Sequence, residues 1–450
     1  MRENQLTQGR VGPALLRFAL PFLAASFLQQ LYSVVDMVAV GRLSTAAALS
    51  GVSTGSEVLH TITALIMGLA TGATVLIGQY VGAGRREDVS KTIGTVFPLF
   101  GIFAVGISVL MAVFAKVIVA AMQVPEAAVA DAERYLFICA VGMIFVTGYN
   151  MVSGILRGLG DSKSPMVLVA IACVINIVGD FVLVGPFHMG AAGAAVATVA
   201  AQGFSFLLAL VVLRRREDFP FDFQLRSFVL RREHSRLLLK LGIPVGLQDM
   251  LIGFSFMLIT SFINRIGLEQ SAGAGVVAKV TAFTMMVSIA FMSAIAAMTA
   301  QNIGSGQAER AKSALRWGIL CSFACSLVLF TLVQLVPERV LSLFSDQSGV
   351  VEQGALYLRS NMIDTVLVAF VFCFNGFFSG CGHTNFSLLN NLIATFGVRV
   401  TGTLIISLIP GATMFHIGLA APAASALQII IQLVYLRFGN WQKSTILSNG

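Results

Sequence analysis

Apolar stretches of about 20 residues recur along this sequence, and a stretch of that length as an α-helix crosses a bilayer core of roughly 30 Å. Of the 450 residues, 57% are hydrophobic and 11% are charged, against about a quarter charged in soluble domains. The sequence therefore predicts an all-α integral membrane protein with twelve transmembrane helices. Their predicted ranges are 14–39, 53–77, 89–115, 133–156, 165–186, 190–213, 240–263, 272–299, 312–336, 354–378, 386–409 and 414–437.

Lysine and arginine are unevenly shared between the two sides of such a membrane protein. Of the 29 basic residues, 21 fall in segments on one side and six on the other. The positive-inside rule then predicts a multi-pass protein of the bacterial cytoplasmic (inner) membrane with both termini in the cytoplasm. The same rule explains the net charge of +8 without nucleic acid as a partner.

The sequence repeats itself with an offset of 222 or 223 residues. Gly78-Gln79-Tyr80 is echoed by Ala300-Gln301-Asn302, and Leu20-Pro21 by Ile243-Pro244. We predict an N-terminal six-helix lobe over 1–213, a basic cytoplasmic linker over 214–239 and a C-terminal six-helix lobe with a short tail over 240–450. Six helices in each half make the lobes parallel repeats, an architecture that places a substrate cavity between them and works by alternating access.

Carboxylates inside predicted helices indicate function, because a charged residue at a helix centre costs roughly 2.5–3.5 kcal/mol on insertion scales. Asp36 lies in the first predicted helix and Asp180 in the fifth, with Asn176 one turn before Asp180. Two ionised carboxylates in a low-dielectric site repel each other, so at least one is expected to bind a proton. Thr198 adds a hydroxyl, and the same oxygens suit sodium, so the coupling ion is H⁺ or Na⁺.

The repeat supports a functional interpretation of this cluster, because the second half has no counterparts of Asp36, Asn176 and Asp180. Residues that only stabilise the fold would tend to occur in both halves, whereas an ion-coupling site is needed in only one half. The alternative is that the two aspartates only bridge helices. Gln29 and Tyr32 continue the polar stripe of Asp36 and are predicted to line the cavity.

Further residues are candidates for the cavity or for internal ion pairs. Adaptable methionine side chains suit varied apolar ligands, and we predict that Met37, Met151, Met257 and Met286 line the cavity. Asp364 is a candidate for contact with substrate or with Lys279. Lys279 and Arg399 are candidates for internal ion pairing or for snorkelling to the membrane surface. Asp249 is interpreted as a solvated carboxylate near the end of its helix.

Several motifs together resemble the multidrug and toxin extrusion (MATE) family, in the DinF-like branch of the multidrug/oligosaccharidyl-lipid/polysaccharide flippase superfamily. The resemblance covers essentially the whole chain and rests on Leu20-Pro21, Leu31-Tyr32-Ser33-Val34-Val35-Asp36, the run from Gly78 to Gly84, the run from Gly154 to Pro165, Asn176-Ile177-Val178-Gly179-Asp180 and the run from Gly190 to Thr198. It implies two six-helix lobes, and export coupled to inward flow of protons or sodium.

In the DinF-like branch the resemblance implies that the coupling site is Asp36, Asn176, Asp180 and Thr198, with a possible Na⁺ at the first three. The NorM-like branch has acidic residues where this chain has Ile252 and Val368. A second-lobe sodium site of that kind is therefore not expected, and protons are favoured over sodium.

We therefore predict a secondary antiporter that exports amphipathic, often cationic, drugs or toxins. The alternative within the same superfamily is a lipid-linked sugar flippase, which would need a cationic cavity. No P-loop or HExxH motif occurs, and no polar catalytic cluster is evident at the predicted membrane surface, so an enzyme is not expected, and neither is a cofactor. The expected partners are small-molecule substrates and the lipid bilayer, and the expected oligomeric state is a monomer.

Overall fold

The computed structural model describes residues 6–216, 219–442 and 446. Within these ranges the chain is helical and contains no strand, which confirms the all-α prediction. Twelve helices are long and apolar enough to cross a membrane. They are α1 Val11–Leu43, α2 Ala46–Gly82, α3 Arg86–Ala121, α4 Glu126–Gly158, α5 Lys163–Val184, α6 Gly190–Arg214, α7 Arg232–Asn264, α8 Leu268–Gly304, α9 Ala308–Leu335, α10 Ser348–Cys381, α11 Thr384–Ser407 and α12 Met414–Phe438.

Shorter elements interrupt or connect these helices. A 3₁₀ turn at Leu225–Ser227 lies in the linker, and a short helix at Pro337–Ser342 precedes α10. The middle of α11, Thr395–Val400, is π-helical, a local widening that is frequent at functional sites. Most of the predicted tail, 443–445 and 447–450, lies outside the described residues.

The internal repeat appears directly in the helix bounds. Helices α8, α9 and α10 each begin 222 residues after α2, α3 and α4. The repeated glycines close helix ends with a positive φ, which is +69° at Gly84 and +75° at its counterpart Gly306. The N–H of Arg85 donates to the carbonyl of Tyr80, and that of Gln307 to the carbonyl of Asn302. The glycine motifs of the sequence are thus left-handed helix caps.

Substitution of Gly84 tests this capping role, because a side chain there meets no atom within 4 Å. We expect Gly84→Val to lower the free energy of unfolding by about 1–2 kcal/mol, since the left-handed region is unfavourable for a β-branched residue. Gly84→Asn should lower it by less, because asparagine tolerates this conformation. Thermal unfolding in detergent measures both, and equal losses would contradict the capping explanation.

Close contact between helices holds each repeat together. A side chain on Gly154 of α4 would lie 2.7 Å from the carbonyl oxygen of Ala70 on α2, and the Thr74 hydroxyl donates to the Gly154 carbonyl at 3.0 Å. The equivalent pair 222 residues later is Gly376 of α10 and the carbonyl of Met292 on α8. Small residues at these positions let the backbones approach, as is typical of helix pairs in membranes.

Contacts divide the described residues into two units. The first comprises 20–216 and 219–246, and the second comprises 6–19 with 247–442 and 446. Helices α1 and α7 therefore each belong to both units, and the division differs there from the predicted lobes 1–213 and 240–450, whose boundaries stay a prediction. In the first unit Gly68 of α2 packs on Gly246 of α7.

The second unit binds the start of the chain in a corresponding way. Leu15 of α1 packs beside Gly318 of α9, and Trp317 covers Gly12. The guanidinium of Arg310 donates to the carbonyls of Gln8 at 2.6 Å and Gly9 at 2.7 Å. Gln8 and Gly9, which precede the first apolar stretch, are therefore held by specific hydrogen bonds.

Candidate functional site

A buried carboxylate lies in the second half of α1. Asp36 is 7% exposed, and its Oδ1 has no hydrogen-bond partner among the described residues. Tyr135 and Cys139, one turn apart on α4, lie close enough to interact with it electrostatically. The apolar residues around this point include Val40, Val52 and Val184, which belong to one buried cluster with those two residues. The carboxylate thus lies in a mostly apolar environment.

Two further polar side chains project into the first unit from α5. Asn176 and Asp180 are four residues apart, share one helix face and are almost completely buried. Both carboxylate oxygens of Asp180 and the Oδ1 of Asn176 lack a partner within the described part of the chain. The arrangement therefore offers three unsatisfied oxygens on one face of α5.

Helix α6 completes the group through Thr198. The amide of Asn176 donates to the Thr198 hydroxyl at 3.3 Å. This is possible because α5 and α6 approach closely at Gly179, where a side chain would lie 2.9 Å from the Cβ of Ala197. The hydrogen bond occupies the amide nitrogen of Asn176 and leaves its oxygen free to accept a proton donor or a cation.

The structure brings the four predicted coupling residues together. Asp36 is the charged group that acts on Asp180 electrostatically, so the two carboxylates repel when both are ionised. In an apolar environment without hydrogen bonds, an ionised carboxylate is costly unless it is paired. A bound proton would remove this cost, and oxygen donors of this kind are also suited to hard cations such as Na⁺.

Sequence reasoning missed several neighbours of the site. Gln202 of α6 and Tyr149 of α4 lie close enough to interact with Tyr32, which also interacts electrostatically with Asp36. Gln202 follows Thr198 by four residues and so shares its helix face, a spacing that could have identified it. Gln29, one turn before Tyr32, is half-buried.

The four methionines that we predicted to line a cavity have different surroundings. Met151 and Met286 are buried within their units, whereas Met37 is 39% exposed and Met257 is 49% exposed. A role for any of them in substrate binding stays a prediction.

A second charged group lies in the second unit. Asp364 of α10 is buried, with one carboxylate oxygen unpartnered among the described residues. Arg399, in the π-helical part of α11, attracts it electrostatically and stacks over the ring of Phe256 at 4.3 Å. Arg399, rather than Lys279, is therefore the basic neighbour of Asp364. Lys279 is exposed, and Asp249 of α7 is half-buried.

A small cavity lies beside Phe256, the ring over which Arg399 stacks. This cavity of about 30 Å³ within the second unit is lined by Phe256, Thr281, Tyr357 and Asn361, among others. Its size suits about one water molecule. The hydroxyl of Thr281 donates to the Oδ1 of Asn361 at 3.2 Å beside it. Asp364 and Arg399 do not line this cavity themselves, and the cavity is too small for a drug-sized substrate.

Comparison with known proteins identifies the family. The sequence pattern of the MatE family matches the chain twice, at residues 21–182 and 244–405. The chain belongs to the MatE family. The two matches correspond to the two repeats, and the first of them contains Asp36, Asn176 and Asp180. Because MATE proteins are transporters, this MatE-family protein is a membrane transporter and not an enzyme.

Individual relatives cover nearly the whole chain of this MatE-family transporter. "Probable multidrug resistance protein YpnP" of Bacillus subtilis (strain 168) is 29% identical over 98% of both chains. "Probable multidrug resistance protein NorM" of Thermotoga maritima is 25% identical over 96% of this chain and 94% of its own. A solved outward-facing MATE-family transporter superposes with a TM-score of 0.90 at 22% identity, over 100% of this chain and 99% of its own. The MATE fold and the membership predicted from the motifs are confirmed.

Proposed function

We propose that this transporter is a secondary active antiporter that exports amphipathic, often cationic, drugs or toxins in exchange for protons or sodium by alternating access. The observation that supports it is the buried pair of carboxylates, Asp36 and Asp180, three of whose four oxygens lack hydrogen-bond partners in the described structure. Relatives named as multidrug resistance proteins support the substrate class.

The chemistry of the pair explains how an inward ion flow could drive export. With both carboxylates ionised the site holds an unfavourable negative charge, which a proton or Na⁺ relieves. A binding ion can shift the conformation only by its different affinity for the two states. We propose that the carboxylate pair binds the ion in one access state and releases the ion in the other. Ion entry would then drive the transport cycle.

The environment of Asn176 bears on the choice of ion. Its free oxygen and the three unpartnered carboxylate oxygens of Asp36 and Asp180 form a set that a Na⁺ ion could use. A proton needs only one of the carboxylates. We propose that the coupling ion is a proton rather than sodium. We also propose that the protein is a monomer in the bacterial cytoplasmic membrane and that both of its termini lie in the cytoplasm.

The experiment is transport in proteoliposomes with the purified full-length protein and ethidium as a lipophilic cation. Either a proton gradient or a sodium gradient is imposed alone, at equal membrane potential. We expect the proton gradient to drive ethidium flux against its own gradient at a rate at least about tenfold above the rate without a gradient, a difference of about 1.4 kcal/mol in barrier. Sodium alone driving the flux would assign Na⁺ as the coupling ion.

Flux that follows only the ethidium gradient, whichever ion is imposed, would contradict antiport. The lipid-linked sugar flippase would then be the next function to test, with a fluorescent lipid-linked oligosaccharide in the same vesicles. Empty vesicles treated identically control for passive leakage.

A further inference from the structure

Residues 219–231 of the linker between the two halves fold against the first third of α3. The ring of Phe97 on α3 lies 6.3 Å from Phe221 and 5.3 Å from Phe228, and those two rings are 5.1 Å apart. Phe223 joins the same cluster, 5.3 Å from Phe221. The aromatic residues of the linker thus form a small hydrophobic core of their own.

Backbone contacts fix the linker in this position. The Thr95 hydroxyl donates to the carbonyl of Val229 at 3.2 Å, and the N–H of Arg231 donates to the same hydroxyl at 3.4 Å. Gly94 leaves room for the linker, because a side chain there would overlap the carbonyl oxygen of Ser227. The basic side chains of this segment are therefore held on a defined surface.

A pocket of about 260 Å³ lies between α3 and the linker, and its walls carry three cations. It is lined by Ser90, Lys91, Phe221, Arg226, Ser227 and Arg231. The volume is slightly below the roughly 300–1,000 Å³ typical of pockets for drug-sized ligands. A small anionic group fits this site better than a transported drug does.

The charges at the pocket are only partly compensated. Lys91 pairs with Glu87 at 2.6 Å, and the Glu87 side chain is 81% exposed. Asp222 attracts Arg226, and its hydrogen bond with the Ser227 hydroxyl lowers the pKa of Asp222, so this carboxylate is ionised. Across the described ranges, neither Arg226 nor Arg231 forms an ion pair. The guanidinium groups thus remain able to donate to an incoming anion.

The position of Lys91 along α3 indicates where the pocket lies relative to the bilayer. No charged residue occurs between Lys91 and Lys116. The 24 intervening residues span about 36 Å as an α-helix, slightly more than the hydrocarbon core of roughly 30 Å. Lys91, and the pocket beside it, therefore lie at the level of lipid headgroups.

We propose that this pocket binds the phosphate group of an anionic ligand. The planar guanidinium groups of Arg226 and Arg231 match phosphate oxygens in two-pronged hydrogen bonds, and Lys91 adds a point charge. The position at headgroup level favours an anionic phospholipid over a soluble phosphate compound. On the side that the sequence predicts to be cytoplasmic, such a lipid would hold the linker against the membrane surface.

Binding of short-chain lipids to the full-length protein in a non-ionic detergent tests the proposal. The probes are dihexanoyl-phosphatidylglycerol, dihexanoyl-phosphatidylcholine and inorganic phosphate, measured by isothermal titration calorimetry. We expect phosphatidylglycerol to bind at least about tenfold more tightly than phosphatidylcholine. The double variant Arg226→Gln and Arg231→Gln should lose at least about tenfold of that affinity, because charged hydrogen bonds are lost.

The matched control is the double variant Arg214→Gln and Arg215→Gln. It removes the same charge from exposed positions at the start of the linker, outside the pocket. Its affinity for phosphatidylglycerol should stay within about twofold of the wild type, since screened surface charges contribute little. Equal losses in both double variants would overturn the site, because they would show a diffuse charge effect.

Removing the acidic partner of Lys91 should raise the affinity for phosphatidylglycerol, which the variants of Arg226 and Arg231 should lower. Glu87→Gln should increase the affinity for phosphatidylglycerol about threefold or more, because it frees the Lys91 ammonium. Competition of inorganic phosphate with phosphatidylglycerol would support the phosphate chemistry, and phosphate that binds as tightly as phosphatidylglycerol would overturn the preference for a phospholipid. No binding of either probe, or no change in Glu87→Gln, would overturn the proposal.

Discussion

Asp36→Asn and Asp180→Asn are each expected to reduce ion-driven ethidium transport in proteoliposomes by at least about 100-fold, which corresponds to about 2.7 kcal/mol. Asparagine keeps the volume of aspartate but carries no negative charge and binds no proton in the physiological range. Each variant therefore removes half of the carboxylate pair that we propose to carry the ion. The measurement is flux under the gradient that drives the wild type.

The thermal stability of the same variants distinguishes coupling from a structural role. Both aspartates are buried with unpartnered oxygens, so removing the charge should leave the unfolding temperature unchanged or raise it. Glu57→Gln is the matched control, since Glu57 is an exposed carboxylate on α2 of the same unit, and it should transport as the wild type does. Normal transport by either aspartate variant, or a large loss of stability, would show that the pair bridges helices.

Gly376→Ala is expected to destabilise the protein by about 3 kcal/mol or more, which would lower the yield of folded protein. The new methyl group would overlap the carbonyl oxygen of Met292 on α8. The helices would have to separate where they pack most closely, and overpacking of this kind costs about 1–3 kcal/mol or occasionally more. Thermal unfolding followed by size-exclusion chromatography in detergent measures the loss.

Gly275→Ala on α8 provides the control for this substitution. A side chain at Gly275 meets no atom within 4 Å, so only helix propensity changes, and stability should rise by up to about 1 kcal/mol. If the two substitutions have similar effects, close backbone packing is not what requires glycine at position 376.

The twelve helices and the repeat could be predicted because both depend on signals within short stretches of sequence. Long apolar runs predict spans, and Gly84 and Gly306 share an offset because both close a helix in the left-handed conformation. The structure shows that such glycines recur at the same offset in the two halves because each closes a helix end in the left-handed conformation. This spacing does not by itself indicate substrate binding.

The coupling cluster could be predicted in part, because Asn176 and Asp180 share a helix face and a buried carboxylate is costly. The nearness of Asp36 depends on how α1 packs, which no local pattern determines. Tyr135 and Cys139 were missed for this reason, since each is ordinary in an apolar helix. The proximity of Arg399 to Asp364 also depends on tertiary packing and on a π-helical turn, so it could not be predicted from local sequence.

The ordered structure of the linker could not be predicted from the sequence. Its phenylalanines and arginines have no regular spacing, so composition alone indicated only a basic connection. Packing against Phe97 converts it into an ordered surface with a cationic pocket. Function at this surface could be inferred only after the structure had placed the cations together.

The membership of α1 and α7 in both units has a consequence for synthesis on the ribosome. The first unit lacks the helix that packs on Gly68 until residue 246 has been made. Leu15, among the first residues synthesised, packs on Gly318, which follows 303 residues later. At about 5–20 residues per second, that delay is roughly 15–60 s. The beginning of the chain therefore cannot reach this packing partner until about 70% of the protein has been synthesised.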